Sequence, residues 1–290
     1  MQLAANIIVL TSVYALISCG YVLIYRVSRV LNLAHGELMM VGAYILLLTA
    51  NGISQNPMVA IPVAAIMSLT VGVLVYLLLM RRMTGESVLA AILTTIALGI
   101  LLRGLVVIFF TSAHQYPAVP LGIRSSSIEV LPGANVSTVS LILIAVTALV
   151  YTTLFIFLRS SRWGLRMRAA GQSPLLSAQR GINLHAIYAM VWGIAVFTGS
   201  IAGILLALDS GVHSTLALVG LKAFPAALVG GLDSLLGALV GSLIIAAAEV
   251  LMIQYVNPLL AEVVPFLVMI VMLVVRPWGL FGTREELDRV

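Results

Sequence analysis

Apolar stretches long enough to cross a bilayer follow one another along almost the whole chain. As a helix, about 20 apolar residues span a hydrocarbon core of about 30 Å. Such stretches stand at residues 3–25, 34–50, 57–80, 88–110, 136–158, 185–208, 214–231, 235–255 and 259–275. Runs such as LVVIFF and LIIAAAEVLMI lack the alternation that a membrane β-barrel requires. The pattern predicts an all-α polytopic membrane protein of eight or nine spans, short or broken ones included, forming one transmembrane domain over residues 1–290. The seventh stretch is ambiguous. It carries Lys222 and Pro225 in its middle and ends in Gly230 and Gly231, so it either crosses as a broken helix or re-enters, which irregular backbone tolerates only when buried in protein or lining a wet cavity.

Composition agrees with the pattern: 62% of the residues are hydrophobic and 9% are charged, against about 25% charged in an ordinary soluble domain. The net charge of +5 does not point to nucleic acid, because the arginines sit in short segments beside the spans. They cluster after the first span (Arg26, Arg29), between the third and fourth (Arg81, Arg82), between the fifth and sixth (Arg159, Arg162, Arg166, Arg168, Arg180) and after the last (Arg276, Arg284, Arg289). Nine crossings put all four clusters on one face, which the positive-inside rule makes cytoplasmic. The N-terminus is then outside and the C-terminus inside; without a seventh crossing the last arginines would break the rule. Cys19 is the sole cysteine, so no intrachain disulfide is expected. MQLAAN lacks the basic n-region of a cleavable signal peptide, so the first apolar stretch is expected to remain as a span.

The longest cytoplasmic connection, residues 159–183, is too polar to span. Leu175, Leu176, Ala178 and Ile182 fall on one possible helical face, with Ser173 as N-cap, Pro174 at the first position and Gly181 as the stop. Such a helix either docks a soluble partner or lies against anionic headgroups. Gly199 with Gly203, and Gly237 with Gly241, have the small-xxx-small spacing of close helix contacts, inside one subunit or between two.

Ionisable residues at membrane depth are costly and by default paired or functional. Arg103 and Glu249 lie at similar distances from the outer ends of their spans, so the sequence offers them as a candidate ion pair, the alternative being separate polar contacts or snorkelling toward the interface. Asn32, His35 and Glu37 stand at the cytoplasmic end of the second span. H-x-E is not the i, i+4 histidine pair of a helical zinc site, and His114, His185 and His213 are scattered, so no metal centre is expected. There is no G-x-S-x-G, and the one lysine, Lys222, follows Leu221, which excludes a phosphate-binding P-loop. Any nucleotide that drives this protein must bind another subunit.

LNLAHGELMMVGAY, residues 31–44, closely resembles the amino-terminal N-x-A-H-G-E-x-x-M-x-G-A-Y signature of the permease subunits of bacterial branched-chain amino-acid ATP-binding-cassette importers, through Asn32, Ala34, His35, Gly36, Glu37, Met40, Gly42, Ala43 and Tyr44. Further along, SRWGLRMRAAGQSPLLSAQRGIN is similar to the family's cytoplasmic coupling segment (Arg162, Gly164, Arg168, Ala169, Ala178, Gly181, Ile182, Asn183), GLKAFPAALVGG to its G-x-K-A-F-x-A-A-x-x-G-G block, and RPWGLFG to its C-terminal block. The resemblance covers essentially the whole chain and implies a type II importer in the bacterial inner membrane. It implies a related second permease subunit, two ATPase subunits that carry the ATP and Mg²⁺ and dock on the cytoplasmic coupling helices, here the coupling segment 159–184, and a periplasmic substrate-binding protein. This chain itself is then no enzyme and binds no cofactor. Asn32, His35, Gly36 and Glu37, with Lys222, Phe224, Pro225, Gly230 and Gly231, are expected at an inner gate or the seam between permeases, the alternative being static capping of the short second helix. Pro225 and Leu236 depart from the residues common in the family, which leaves the shape of the seventh span open. The implied cargo is a hydrophobic amino acid; urea or a short amide is the alternative within the family, and a gradient-driven transporter of small neutral solutes the alternative outside it.

Overall fold

The computed structural model describes residues 1–283; Arg284 and Arg289 lie outside the described residues. The apolar stretches become α1 (Gln2–Ser28), α2 (His35–Gly52), α3 (Pro57–Met83, with a π-helical turn at Tyr76–Met80), α4 (Val88–Phe110), α5 (Thr138–Ser160), α8 (Leu184–Ser210), α9 (Ala217–Gly230), α10 (Leu235–Tyr255) and α11 (Val264–Val275). Between α5 and α8 lie two short helices, α6 (Arg162–Gln172) and α7 (Pro174–Gln179). Among the described residues, six helices are long and apolar enough to cross a membrane: α1, α3, α4, α5, α8 and α10. The chain is a multi-pass helical membrane protein.

Most helices start at a polar side chain that accepts the orphan amide two or three residues on. Asn56, Ser87, Ser137, Ser161, Ser173, Asn183 and Ser234 do this for α3, α4, α5, α6, α7, α8 and α10. Two helices inside the bundle start without a side-chain cap. α2 follows Ala34, and α9 follows a 3₁₀ turn at Ser214–Leu216.

Polar contacts mark two ends. At one end Gln2 and Asn135 exchange hydrogen bonds, Ser125 and Ser137 both donate to Asp209, and Gln115 bridges Val212. A hairpin there, Ser127–Leu131 paired with Ala134–Ser137, turns at Pro132 and Gly133. At the other end Arg29 pairs with Asp233 at 3.1 Å, Asp233 accepts from Thr283, and Gly171 packs on the Arg26 carbonyl. The amides of Leu280 and Phe281 bond the carbonyls of Val229 and Gly230 there. The seventh stretch therefore runs from Val212 at the first end to Gly230 at the second, resolving the choice between crossing and re-entering in favour of an end-to-end path with an irregular start. Pro225 lies inside α9, where its missing N–H removes one helix bond.

Two units of this bundle have the same plan and opposite directions. α1 and α8 each have 27 residues; each is followed by a non-helical segment and then by a shorter helix, α2 or α9. α1 ends at the arginine end, and α8 ends at the Asp209 end. The two inner helices meet at Gly36 and Gly220, so close that a Cβ on Gly220 would strike the Gly36 backbone. The glycine pairs of the sequence serve contacts within the chain: Gly199 faces His35, Gly203 the Met39 carbonyl, Gly237 the Gly230 carbonyl and Gly241 that of Ala226.

At the first end, His114 stacks on His213 with ring centroids 4.3 Å apart. Burial lowers the pKa of His213, and the neighbouring His114 lowers it further. Folding therefore favours neutral His213, while the unfolded chain takes up a proton below the ordinary value of about 6.5. Stability is expected to be complete above that pH and to decline as pH falls through it. Thermal unfolding in detergent between pH 7.5 and 5.5 checks this, with His213→Asn flattening the acid limb.

Candidate functional site

The segment from Val30 to Ala34 leaves the arginine end and sinks into the bundle. Its destination is fixed by His35, whose fully buried ring lies against Gly20 of α1 and Gly199 of α8 and meets Tyr21 edge-on at 4.7 Å. Gly20 stands eight residues before the end of α1, about 12 Å along a helix at 1.5 Å per residue. α2 thus begins well inside the bundle, so the end of the second span where Asn32, His35 and Glu37 stand is set back from the arginine end. Irregular backbone at such depth is sustainable because it is wrapped in protein: Asn32 and Ala34 are buried, and the Leu33 amide bonds the Thr95 hydroxyl of α4.

The deep start of α2 carries Glu37 to α4. There Arg103 donates to it at 2.8 Å, the side chains being 45% and 15% exposed respectively. The pair sits in an open groove of about 700 Å³ between the start of α2, α4 and Leu221 of α9. The groove is otherwise apolar, lined by Leu33, Ile96, Ile100, Val107 and Ile108.

Glu249 has a different partner. Its carboxylate accepts from Lys222 of α9 at 2.9 Å and from the Tyr14 hydroxyl of α1 at 2.5 Å, with Lys222 18% and Glu249 7% exposed. The Arg103–Glu249 pair expected from sequence is therefore not formed. Matching their levels along two helices could not say which way each side chain points around its helix, and the two charges take separate partners. Lys222, Glu249 and Tyr14 tie α9, α10 and α1 together at depth.

Phe224 packs tilted on Tyr21 at 5.4 Å. Pro225 is buried, Gly230 packs on Gly237 of α10, and Gly231 abuts Gly282. The site residues expected together thus divide: Gly36 and Glu37 meet Leu221 at the groove, whereas Lys222, Phe224, Pro225, Gly230 and Gly231 pack α9 against its neighbours.

The segment 159–183 is two helices at the arginine end. α6 faces inward: Gly164 presses on the backbone of Phe157 and Leu158, Arg168 donates to the Leu158 carbonyl, Ala169 is half-buried, and Gly171 touches Arg26. Its first residue, Arg162, is exposed. α7 has the Ser173 cap, the Pro174 start and, at Gly181, the positive φ of 77° that the sequence signals. Its Leu175, Leu176 and Ala178 point outward. Beside it Trp163, Arg166, Arg180, Gly181, Ile182 and Asn183 line a hollow of about 310 Å³. The sequence signal for α6 is its cap, Ser161 three residues before Gly164, and three arginines that favour helix, Arg162, Arg166 and Arg168.

Residues 3–273 match the family described as "Branched-chain amino acid transport system / permease component". The chain belongs to that family. It is 30% identical to the high-affinity branched-chain amino acid transport system permease protein LivH of Salmonella typhimurium, over 100% of this chain and 97% of that protein. It is 29% identical to the permease protein BraD of the same name from Pseudomonas aeruginosa (100% and 98%) and 26% identical to the probable permease LivH of Methanocaldococcus jannaschii (95% and 90%). In fold it is similar to PsaBC from Streptococcus pneumoniae in complex with Fab, with a TM-score of 0.52 at 13% identity over 94% of this chain and 91% of that one.

The permease's N-x-A-H-G-E block has a structural reading. His35 anchors the deep start of α2, Gly36 admits α9, and Glu37 reaches the groove. Its G-x-K-A-F block supplies the other half of the contact, with Gly220 against Gly36 and Lys222 on Glu249.

Proposed function

We propose that this permease is the membrane-spanning subunit of an ATP-binding-cassette importer that moves branched-chain amino acids across a bacterial inner membrane. The observation that carries the reading is the full-length match to relatives named for branched-chain amino acid transport. Residues 1–290 act as one permease domain. The N-terminus is periplasmic and the arginine end cytoplasmic, because the described clusters Arg26 with Arg29, Arg81 with Arg82, and those of α6 and α7 gather there. Two ATPase subunits dock on the cytoplasmic coupling helices of the permease pair, which in this chain are α6 and α7, and hold the ATP and Mg²⁺, so this chain needs no cofactor. A related permease pairs with it, and a periplasmic binding protein delivers the cargo. α6 is packed rigidly on the ends of α1 and α5, so motion of a docked subunit is passed directly to those helices. ATP binding then shifts the permease between states only to the extent that it binds one of them better.

Both carboxylates at depth, Glu37 and Glu249, are held by a cation, which favours an external energy source over a carboxylate that binds a coupling ion. In vesicles holding the complete assembly, labelled leucine uptake is expected to need ATP and to persist when ionophores collapse the ion gradients. Loss of uptake with the gradients would transfer the reading to a secondary transporter, and ATP-driven uptake of urea but not leucine would change the cargo.

A further inference from the structure

The groove at the meeting of α2, α4 and α9 has the chemical complement of an aliphatic amino acid. Its volume of about 700 Å³ lies in the range of about 300–1,000 Å³ usual for small-ligand sites. Its walls are aliphatic, and the two charged residues lining it, Glu37 and Arg103, are of opposite sign and adjacent. We propose that this groove is a transit site for zwitterionic amino acids with aliphatic side chains, Glu37 receiving the ammonium and Arg103 the carboxylate; the proposal rests on the branched-chain reading above.

Placement supports it. A guanidinium 45% exposed seven residues inside the end of a transmembrane helix is costly against lipid and is by default functional, solute paths among its uses. α4 presents most of its surface outward, leaving the groove open on the side where a second permease would close it. The empty groove keeps both charges satisfied in the ion pair. When a zwitterion arrives, the pair parts and each charge takes the opposite head of the solute, so charge-assisted hydrogen bonds are exchanged rather than lost, and the planar guanidinium suits a carboxylate. Room for this exists: nothing stands within 4 Å of a Cβ built at Gly104, and Gly99 leaves the Glu37 carboxylate uncrowded. The groove is bordered by Glu37 of α2 and Leu221 of α9, the residues next to Gly36 and Gly220, so any shift of α2 against α9 changes its width.

In proteoliposomes of the complete transporter with binding protein and ATP, Glu37→Gln and Arg103→Gln are each expected to lower leucine uptake at least tenfold while the subunits still co-purify. The double variant Glu37→Arg with Arg103→Glu restores opposite charges. A pair that only clips α2 to α4 would be rescued by it. A pair that reads the solute would not, because exchanging ammonium and carboxylate around a fixed side chain describes the other enantiomer. Recovery to within twofold of wild type, or single variants that transport normally, overturns the proposal. A second readout uses Ile100→Cys in a Cys19→Ser background, with the whole complex in nanodiscs. Millimolar leucine is expected to slow thiol labelling at least threefold, and leucinamide and 4-methylpentanoate, each lacking one charge, to leave it unchanged. Equal protection by all three, or by none, overturns the proposal. A wild-type complex that takes up no leucine removes the branched-chain reading itself, and the transit site with it.

Discussion

Lys222→Met is expected to be among the most damaging single substitutions in this protein, and the damage is expected to be largely undone by adding Glu249→Gln. Among the described residues the lysine is the only cation on the Glu249 carboxylate, which is 7% exposed and, among those residues, keeps the Tyr14 hydroxyl alone once the ammonium is gone. Removing one partner of a buried pair strands the other charge at a cost of about 3–5 kcal/mol, whereas replacing both with neutral groups of similar size is close to neutral or better. Glu249→Gln in the double variant keeps a group able to accept from Tyr14. Tyr14→Phe takes away one hydrogen bond to a charged acceptor, about 1.5–3 kcal/mol, and belongs between wild type and Lys222→Met. Thermal unfolding of the solubilised protein, followed by the loss of its monodisperse peak, orders these four proteins together with the Glu249→Gln single variant. If the double variant is as poor as the sum of its single ones, the two charges do not act as a pair.

What the sequence conveys about this fold is local, and what it conceals is rotational. The stretch 88–110 became Val88–Phe110 with Ser87 as its cap, because hydropathy and a capping side chain are both properties of neighbours along the chain. For the same reason Pro174–Gln179 was legible with its cap and its glycine stop. The hairpin before α5 went unread, although Pro132 and Gly133 sit at its turn. The partner of Arg103 was misread because distance from a helix end gives depth and not azimuth. How deep α2 starts was not legible, because counting apolar residues cannot tell that Val30–Ala34 itself sinks into the bundle. His35, Gly36 and Glu37 were picked out as residues to explain, but only the packing shows that each serves a different neighbour: α1 and α8, α9, and α4. The coupling residues divide likewise, Gly164 and Arg168 inward and Ala178 and Gly181 outward.

The Gly36–Gly220 contact makes the sharpest graded prediction. A Cβ on Gly36 would lie 2.5 Å from the Ala217 carbonyl oxygen and 3.2 Å from the Gly220 Cα; one on Gly220 would run into the Gly36 Cα. These obstacles are backbone, which cannot rotate away, so α2 and α9 must separate. Overpacking of this kind costs about 1–3 kcal/mol and occasionally more, and Gly220→Ala is expected at the upper end, with Gly36→Ala just below it. Gly99→Ala is milder, because its nearest neighbour is the Glu37 carboxylate at 3.2 Å, a side-chain end that can yield a few tenths of an ångström. Gly52→Ala meets nothing within 4 Å and is expected within about 0.5 kcal/mol of wild type, as for surface positions generally. The same four variants separate stability from motion. If α2 and α9 move against each other during transport, Gly36→Ala and Gly220→Ala lower leucine uptake per folded complex as well as the amount of folded complex, while Gly52→Ala changes neither. Uptake per folded complex equal to wild type in both would make the contact a fixed seam, and the work of coupled ATPases would then have to reach the groove through α4.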